Sequence, residues 1–459
     1  MRFVALALIM LSLPVFIAWL QSGSRHRNHA LTLLGLLVFL TGSLSVDASF
    51  ITWPLWNGTA RGITIAPSDT LALALLFTRR RSWARLPFVG VMSAYLAVLA
   101  LSVAFSLLPL ASVFSVWDFG RCFVVFLAVA GEMARPGAFG ALLRGLAMGL
   151  IVQAGYVVNQ KLSGVVQASG TLVHQNILGM MTVAAVPPLL GAMLEGERHW
   201  LIKIGVLAGL IVVAGGGSRG AIAMIGAASV LLIFVSLVRR QTPQKLALVG
   251  VSAVLLVIAA PFAMMTLQDR FGGHSILAQE EQRAAMENAA RAIISDYPLG
   301  VGANLYTNVS NSQGYANRAG MAWNTSNRSV PVHNAYLLTR AEMGIPGLVT
   351  FTLLLGWPLV AGLVHAFRNR RKSADGYVLG GVAALGAIAV QSQFEYAAVT
   401  YPVKLAMIMS LAVIAGRIRA ARLERAAPAP LPTSSVAPRL DRPGHIPEMP
   451  TVPPVGGIR

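Results

Sequence analysis

The chain has 459 residues, of which 56% are hydrophobic and only 12% are charged, and its mean hydropathy is +0.67. A soluble domain carries about twice that charged fraction, so the composition excludes an ordinary soluble fold. The net charge of +19 would suit nucleic-acid binding, but Lys and Arg fall in short clusters between apolar segments, as in the loops of membrane proteins. We therefore expect an integral membrane protein that binds no nucleic acid. The single cysteine, Cys122, excludes an internal disulfide framework.

Apolar segments long enough to cross a bilayer recur along the chain. They fall near 3–20, 30–46, 63–78, 88–108, 119–131, 139–158, 174–193, 201–217, 220–238, 246–266, 333–366, 376–394 and 402–416. Backbone groups in lipid must be hydrogen-bonded within their own segment, so each segment is expected to be helical. The sequence thus predicts an all-α, polytopic transmembrane helical bundle of about 12–13 spans.

Two polar stretches interrupt this pattern and divide the chain. Residues 267–332 are predicted to form one large external loop with a short amphipathic helix. The Pro- and Arg-rich stretch 417–459 is predicted to be a disordered tail. The resulting parts are N-terminal spans 1–62, a transmembrane core 63–266, the external loop 267–332, a C-terminal transmembrane core 333–416 and the tail 417–459.

The basic residues predict the orientation, because cytoplasmic loops carry an excess of Lys and Arg. Alternate short loops hold most of them: Arg25, Arg27, Arg79, Arg80, Arg81, Arg85, Arg135, Arg144, Arg198, Lys203, Arg239, Arg240, Lys245, Arg368, Arg370, Arg371 and Lys372. The intervening short loops hold only Arg61, Lys161 and Arg219. The first set is therefore expected in the cytoplasm together with the tail, which puts the large loop on the external side.

The segment His333–Gly347 carries the densest group of candidate functional residues. His333 and Asn334 are expected at the outer mouth of a helix, and Arg340 and Glu342 about two turns deeper, where ionisable groups are costly and often functional. The glycines and the proline that follow predict a kink. An alternative is a solvated histidine followed by an Arg–Glu pair that joins two helices.

A second candidate is the glycine-rich hairpin Gly215–Gly220, which presents Arg219 at the outer interface. A guanidinium there is suited to binding phosphate, although an arginine can also simply extend to lipid headgroups. A third candidate is Arg283, in the loop helix predicted at Leu277–Ser295. Glu287 lies four residues further on and could form an ion pair with Arg283, in which case Arg283 would only stabilise the helix.

Further polar groups are expected at the external interface. His174 and Asn176 open a span, where they could cap the helix or contact a sugar. Arg121 lies at the same level, with Asp69, Asp118, Glu342 and Glu395 as possible counter-ions. Cations at an otherwise uncharged interface suggest a site for an anionic, lipid-anchored ligand, although structural ion pairs would look similar.

Taken together, these motifs resemble the O-antigen ligase and O-antigen polymerase superfamily of bacterial inner-membrane glycosyltransferases. The resemblance rests on the order HQN (174–176), SRG (218–220), a loop with QRAAMENAARAIISDYPLGVGANLY (282–306), HN-x-YL (333–337) and E-x-G-x-x-G (342–347). It covers roughly 63–416. It implies transfer of a glycan from undecaprenyl diphosphate to an acceptor hydroxyl on the periplasmic side.

In that family's mechanism Arg219 and Arg283 would bind the donor diphosphate and stabilise its charge as it leaves, and His333 would accept the proton of the acceptor hydroxyl. Asn334, Arg340, Glu342, His174, Asn176 and Arg121 would contribute to substrate binding. We expect inversion at the anomeric carbon. No metal-ligand cluster occurs in the external loop sequence, so neither a metal nor another cofactor is expected.

The acceptor remains open among lipid A core, another lipid-linked repeat unit and a protein. We favour a polymerase of exopolysaccharide or O-antigen repeats over a ligase. Membrane lipids and other polysaccharide-assembly proteins are the remaining expected partners. A polysaccharide-lipid transporter or flippase is the main alternative of another class. It would be expected to show inverted repeats and charges at the midplane of the membrane. A structural membrane partner without an active site is a further alternative.

Overall fold

The computed structural model describes residues 2–41, 46–79, 86–250 and 275–426. Its helices and strands are α1 (Arg2–Gln21), α2 (His26–Leu40), β1 (Ala48–Thr52), β2 (Gly62–Ile65), α3 (Pro67–Phe77), α4 (Val89–Ala104), α5 (Pro109–Glu132), α6 (Ala138–Leu162), α7 (Gln175–Leu194), α8 (Trp200–Gly216), α9 (Arg219–Arg239), α10 (helical from 243 to 250, where this described range ends), α11 (Ser275–Asp296), α12 (Tyr306–Ser312), α13 (Tyr315–Arg318), α14 (Thr325–Arg328), α15 (Ala335–Arg368), α16 (Val378–Gln391) and α17 (Tyr401–Ala426). Short 3-10 turns cover Ser373–Tyr377 and Ala397–Val399.

The predicted polytopic helical bundle is confirmed. Seven described segments are long and apolar enough to cross a membrane, and the shorter apolar helices α3, α4 and α8 accompany them. The chain is therefore a multi-pass membrane protein. The total of about 12–13 spans stays a prediction, because most of the predicted span 246–266 lies outside the described residues. The same holds for 427–459 of the predicted tail.

Several helices depart from their predicted boundaries, and α5, for example, begins at Pro109 rather than near 119. Two of these departures have a clear local cause. The span predicted at 63–78 begins instead with β2, which pairs with β1 in an antiparallel hairpin, and α3 starts only at Pro67. Alternating β-branched residues before a proline favour a strand, and proline is well placed in a first helical turn. At the other boundary, α17 continues to Ala426, beyond the predicted end at 416, through strong helix formers.

Helix α7 lies at the centre of the bundle. It packs against α8, α9, α16 and α17, and most of its residues are buried. Glycines permit the closest approaches: Gly191 of α7 faces Gly380 of α16, and a Cβ on either would meet backbone atoms within 3 Å. Contacts between small residues are the usual means by which helices approach closely in a membrane. The first turn of α7, at the other end of the helix, contributes Gln175 and Asn176 to the cavity described below.

Helix α15 is broken at Gly344, where φ is 63° and ψ is −160°. Positive φ favours glycine. The carbonyl groups of Ala341 and Glu342 accept hydrogen bonds from the backbone N–H groups of Val301 (3.0 Å) and Gly302 (2.9 Å) of the external loop. The predicted kink is confirmed, and it is the point at which the loop is attached to the bundle.

The external loop has an apolar core of its own. Helix α11 buries one face, including Met286 and Ile293, against α12, α13 and the start of α15. The opposite face carries charged residues, so the predicted amphipathic helix at Leu277–Ser295 is confirmed and extends over Ser275–Asp296. Because α11 is fixed on one side, its outer face has a defined position over the bundle.

The loops predicted to be cytoplasmic gather at one end of the bundle, called here the basic end. Arg27, after α1, lies 2.7 Å from Glu132 at the end of α5. Arg239, at the end of α9, lies 3.1 Å from Glu195 after α7.

The intervening loops gather at the opposite end, called here the loop end. Ser112, at the start of α5, donates to the carbonyl of Ala303 in the large loop (2.8 Å). Asn176 of α7 donates to Glu395 between α16 and α17 (2.7 Å). The alternation of basic and non-basic loops in the sequence thus corresponds to two opposite ends of the fold.

Candidate functional site

A cavity of about 690 Å³ opens at the loop end between α7, α9, α11 and the α16–α17 loop. Its polar lining is Gln167, Gln175, Asn176, Ser218, Arg219, Glu280, Arg283, Gln391 and Glu395, and its apolar lining includes Val166, Ala223, Met224 and Phe394. The volume lies within the usual range of ligand sites. The mixture of guanidinium groups, amides and an apolar wall suits an amphiphilic anion that carries a polar, hydroxyl-rich group.

Arg219 reaches this cavity through the hairpin between α8 and α9. Helix α8 ends at Gly216, and its C-cap residue Gly217 has φ 60°. Ser218 then precedes Arg219, the first residue of α9. The side chain of Arg219 is exposed and has no hydrogen bond or ion pair with any residue that the structure describes. The first N–H groups of a helix lack intrahelical acceptors and favour anions, so this corner combines a guanidinium with amide donors.

Arg283 reaches the same cavity from α11. Its side chain is 38% exposed, and Nη1 lies 3.7 Å from Oε1 of Glu280. Glu287, the partner considered from the sequence, instead pairs with Arg291 at 2.7 Å. The contact to Glu280 is long and exposed, and such contacts stabilise little. Arg283 therefore remains able to bind a ligand in the cavity.

His333 lines a smaller cavity of about 90 Å³ beside the first, together with His174 and Tyr396. Nδ1 of His333 lies 3.3 Å from Oε1 of Glu395, although the alignment is not that of a regular hydrogen bond. The Tyr396 ring packs edge-on against the imidazole, with 5.4 Å between ring centroids. These two neighbours restrict the orientation of the ring.

Asn176 and Glu395 line both cavities and thereby connect the two groups of residues. Oε2 of Glu395 accepts a hydrogen bond of 2.7 Å from Asn176. Burial raises the pKa of the Glu395 carboxyl, but His333, Asn176 and the Tyr396 N–H lower it, and the net effect holds this pKa below its ordinary value. A negative charge is thus maintained between the imidazole and the larger cavity.

Two of the predicted binding residues cap helices. Oδ1 of Asn334 accepts hydrogen bonds from the N–H groups of Tyr336 and Leu337, both at 3.0 Å. Nδ1 of His174 accepts from the N–H of Asn176 at 3.1 Å, while its ring still lines the small cavity. The capping alternative considered for His174 is thus realised, and Asn334 fixes the start of α15 immediately after His333.

Arg340 and Glu342 lie away from both described cavities. Glu342 is buried, and its Oε1 accepts a hydrogen bond from the N–H of Tyr306 in the large loop (3.1 Å). Arg340 is exposed and does not pair with Glu342 among the described residues. The ion pair between Arg340 and Glu342, considered as the alternative to a functional role, does not form among the described residues. Glu342 instead attaches the large loop to α15.

Arg121 lies in a separate buried cluster. Its Nε donates to Asp69 at 2.8 Å, its Nη1 is 3.6 Å from Asp118, and its guanidinium lies 4.0 Å from the centroid of the Tyr401 ring. It lines none of the described cavities. The cluster joins α3, α5 and α17. Arg121 therefore forms structural ion pairs, which was the alternative to ligand binding considered for this residue.

Residues 204–352 match the family model Wzy_C, described as O-antigen ligase. This segment, about a third of the chain, is therefore similar to O-antigen ligases. It contains Arg219, Arg283 and His333, whereas Asn176 and Glu395 lie outside it. The match supports glycosyl transfer in polysaccharide or O-antigen synthesis within the membrane. No curated protein matches the chain significantly.

Glu395 is the residue of this site whose position the sequence did not reveal. It was considered only as one of several counter-ions, and its partners Asn176 and His333 are far away in the chain. A signal was present, because a carboxylate in an otherwise uncharged segment between two apolar helices is costly and often functional. Gln175 and Gln391, which flank it in the larger cavity, carry no comparable signal.

Proposed function

We propose that the protein transfers a glycan from an undecaprenyl-diphosphate-linked donor to an acceptor hydroxyl at the periplasmic face of the inner membrane, and that it acts as a polymerase of exopolysaccharide or O-antigen repeat units. The observation that carries the proposal is that Asn176 and Glu395 join the cavity of the two arginines to the cavity of His333. The family match supports the class of reaction.

The donor would bind with its diphosphate between Arg219 and Arg283. Guanidinium groups form paired hydrogen bonds with phosphate oxygens, and the N-terminus of α9 adds amide donors. The apolar wall with Met224 and Phe394 would accept the first isoprene units. As the anomeric carbon–oxygen bond breaks, the electron pair passes to the diphosphate, and the two cations stabilise this charge.

His333 would act as the general base. The charged carboxylate of Glu395, 3.3 Å from Nδ1, would favour the neutral tautomer that keeps its proton on Nδ1, so that an unprotonated Nε2 faces the acceptor. The acceptor oxygen forms a bond to the anomeric carbon while its proton passes to Nε2. A single displacement of this kind inverts the anomeric configuration. The charge on Glu395 would stabilise the imidazolium that forms.

The loop end would face the periplasm and the basic end the cytoplasm. The support is the distribution of Lys and Arg, since basic loops are retained on the cytoplasmic side. The lipid-linked donor would then enter the cavity from the outer leaflet.

The proposal is tested in a deletion strain that carries wild type, His333→Ala, Arg219→Ala or Arg283→Ala at matched membrane levels, with Arg291→Ala as a control on the exposed face of α11. Surface glycan and the extracted undecaprenyl-linked pool are compared on gels. A polymerase predicts that the three site variants accumulate single lipid-linked repeats while Arg291→Ala resembles wild type.

Other outcomes point to other functions. Accumulation of long lipid-linked chains that are missing from lipid A would identify a ligase, which uses the same chemistry. Wild-type behaviour of all three variants would overturn the proposed site and favour a transporter or scaffold.

A further inference from the structure

A second large cavity lies at the basic end, opposite the candidate site. Its volume is about 930 Å³, and it opens between the ends of α1, α3, α5 and α17. Among the residues that the structure describes, four arginines line it, Arg27, Arg79, Arg135 and Arg419, and Glu132 is the single carboxylate. The cavity therefore carries a strong excess of positive charge, and the proposed glycosyl transfer makes no use of it.

The carboxylate of Glu132 is already occupied by two of the arginines. Arg27 holds it through two hydrogen bonds, of 3.0 Å from Nε and 2.7 Å from Nη2, and Arg135 donates to it at 2.9 Å. Arg135 also donates to the carbonyl of Ser24 at 2.7 Å. These contacts fix the walls of the cavity but leave Glu132 little capacity to compensate further cations.

Arg79 is the cation that these contacts leave uncompensated. Its Nη1 is buried without a hydrogen-bond acceptor among the described residues, and no described carboxylate forms an ion pair with it. The guanidinium lies against the backbone of Gly131, where a Cβ would meet Nη1 at 1.9 Å. Burial and the nearby charges of Arg419 and Arg27 lower the pKa of Arg79, and their effect exceeds the opposing effect of Glu132. A partly buried guanidinium group with an unsatisfied Nη1 and no ion-pair partner is costly, and an anion in the cavity would offset that cost.

The rim of the cavity is apolar. Phe77, the last residue of α3, is 68% exposed, and Leu423 of α17 is 49% exposed. Both belong to helices that end at this level of the bundle. A phosphate group held by arginines with acyl chains along such a rim is the arrangement expected of a phospholipid, and basic pockets between membrane helices bind anionic headgroups.

We propose that this cavity binds a phosphate-bearing anion, with an anionic phospholipid headgroup as its preferred source. Arg79 and Arg419 would contact the phosphate oxygens, while Arg27 and Arg135, anchored on Glu132, would shape the site. This inference does not depend on the proposed glycosyl transfer.

The test uses the purified full-length protein in a neutral detergent and native mass spectrometry of retained lipid. Phosphatidylglycerol and phosphatidylethanolamine are titrated against wild type, Arg79→Gln, Arg419→Gln and Arg79→Lys. Arg371→Gln is the matched control, because Arg371 is an exposed arginine of the basic end that does not line the cavity. Arg219→Gln tests independence from the site at the loop end.

Wild type is expected to retain phosphatidylglycerol in preference to phosphatidylethanolamine. Arg79→Gln and Arg419→Gln should each bind it about fivefold more weakly, whereas Arg79→Lys, Arg371→Gln and Arg219→Gln should stay close to wild type. If Arg79→Gln fails to fold, as judged from thermal unfolding, the binding of phosphatidylglycerol by Arg419→Gln decides whether the cavity is the lipid site. Equal retention of phosphatidylglycerol by wild type and by the folded Gln variants would overturn the lipid proposal.

A second arm separates a lipid from a free anion. Inorganic phosphate alone is added to delipidated protein, and the thermal unfolding midpoint is followed. Stabilisation of wild type by millimolar phosphate, lost in Arg79→Gln and without selective lipid retention, would keep the anion site but overturn the lipid as its source. No response to phosphate together with selective lipid retention supports the headgroup. A response to neither overturns the site.

Discussion

Nδ1 of His333 lies 3.3 Å from a carboxylate oxygen of Glu395, whose other oxygen accepts a hydrogen bond from Asn176. A carboxylate beside one nitrogen of an imidazole can fix the ring and the tautomer so that the other nitrogen is free to accept a proton. Glu395 touches no proposed reacting atom, and we therefore regard it as a positioning residue.

Glu395→Gln should lower kcat roughly a hundredfold with little change in the KM for the donor, because the base is misoriented while the arginines are intact. The acidic limb of the pH–rate profile should also move to lower pH, since loss of the negative charge favours the neutral imidazole. Both are measured with purified protein and a defined lipid-linked donor. Glu281→Gln, an exposed carboxylate of α11, is the control, and an unchanged profile in Glu395→Gln would contradict the positioning role.

Replacement of Arg219 or Arg283 by Ala should each reduce kcat by about 10²- to 10³-fold, the usual effect of removing one group that stabilises developing negative charge. Arg→Lys at either position should retain more activity than Arg→Ala, because the charge remains although the fork of donors is lost. Arg291→Ala on the same helix as Arg283 serves as the reference. Equal rates for the Lys and Ala variants would argue against a contact with phosphate.

Chelation should leave the reaction rate unchanged. The two guanidinium groups supply the positive charge that a divalent metal supplies in many enzymes acting on diphosphates. Single-turnover rates are compared with and without EDTA, and then with added Mg²⁺. A fall in rate with EDTA that Mg²⁺ restores would refute the metal-independent mechanism.

Glu342→Ala should destabilise the attachment of the large loop by about 1–3 kcal/mol, because the buried Tyr306 N–H loses its side-chain acceptor. The expected readouts are a lower thermal unfolding midpoint and faster proteolysis of the loop. Arg340→Gln, two residues away on the exposed side of α15, should change stability by no more than about 0.5 kcal/mol. Equal sensitivity of the two variants would show that the contact of Glu342 is not structural.

Arg121→Met should cost about 3–5 kcal/mol of stability, because it leaves the carboxylate of Asp69 buried without its partner. The double variant Arg121→Met/Asp69→Leu should recover much of that loss, and donor binding should survive in both. Unfolding by denaturant in detergent and a donor-binding assay provide the two readouts. Loss of donor binding in a stable double variant would show that Arg121 contributes to donor binding.

The sequence was informative wherever a property resides in a short stretch of chain. Apolar length predicted the helices, the alternation of basic loops predicted the two ends, and glycines beside a proline predicted the break in α15. It was misleading at 63–65, where β-branched residues continue the apolar segment of α3 but form a strand. It could not reveal the contact of Asn176 with Glu395, because these residues are 219 positions apart and neither stretch of sequence specifies the other.

The break at Gly344 also bears on how such proteins can be recombined. The carbonyl groups of Ala341 and Glu342, just before the break, accept hydrogen bonds from the N–H groups of Val301 and Gly302. A Cβ on Gly344 would meet the carbonyl of Pro298 at 2.8 Å. The turn and the broken helix therefore form one transplantable module. A chimera joined at the boundary of loop and span, near residue 332, would separate two halves of one hydrogen-bonded joint, whereas a graft that carries 297–347 would transfer it whole.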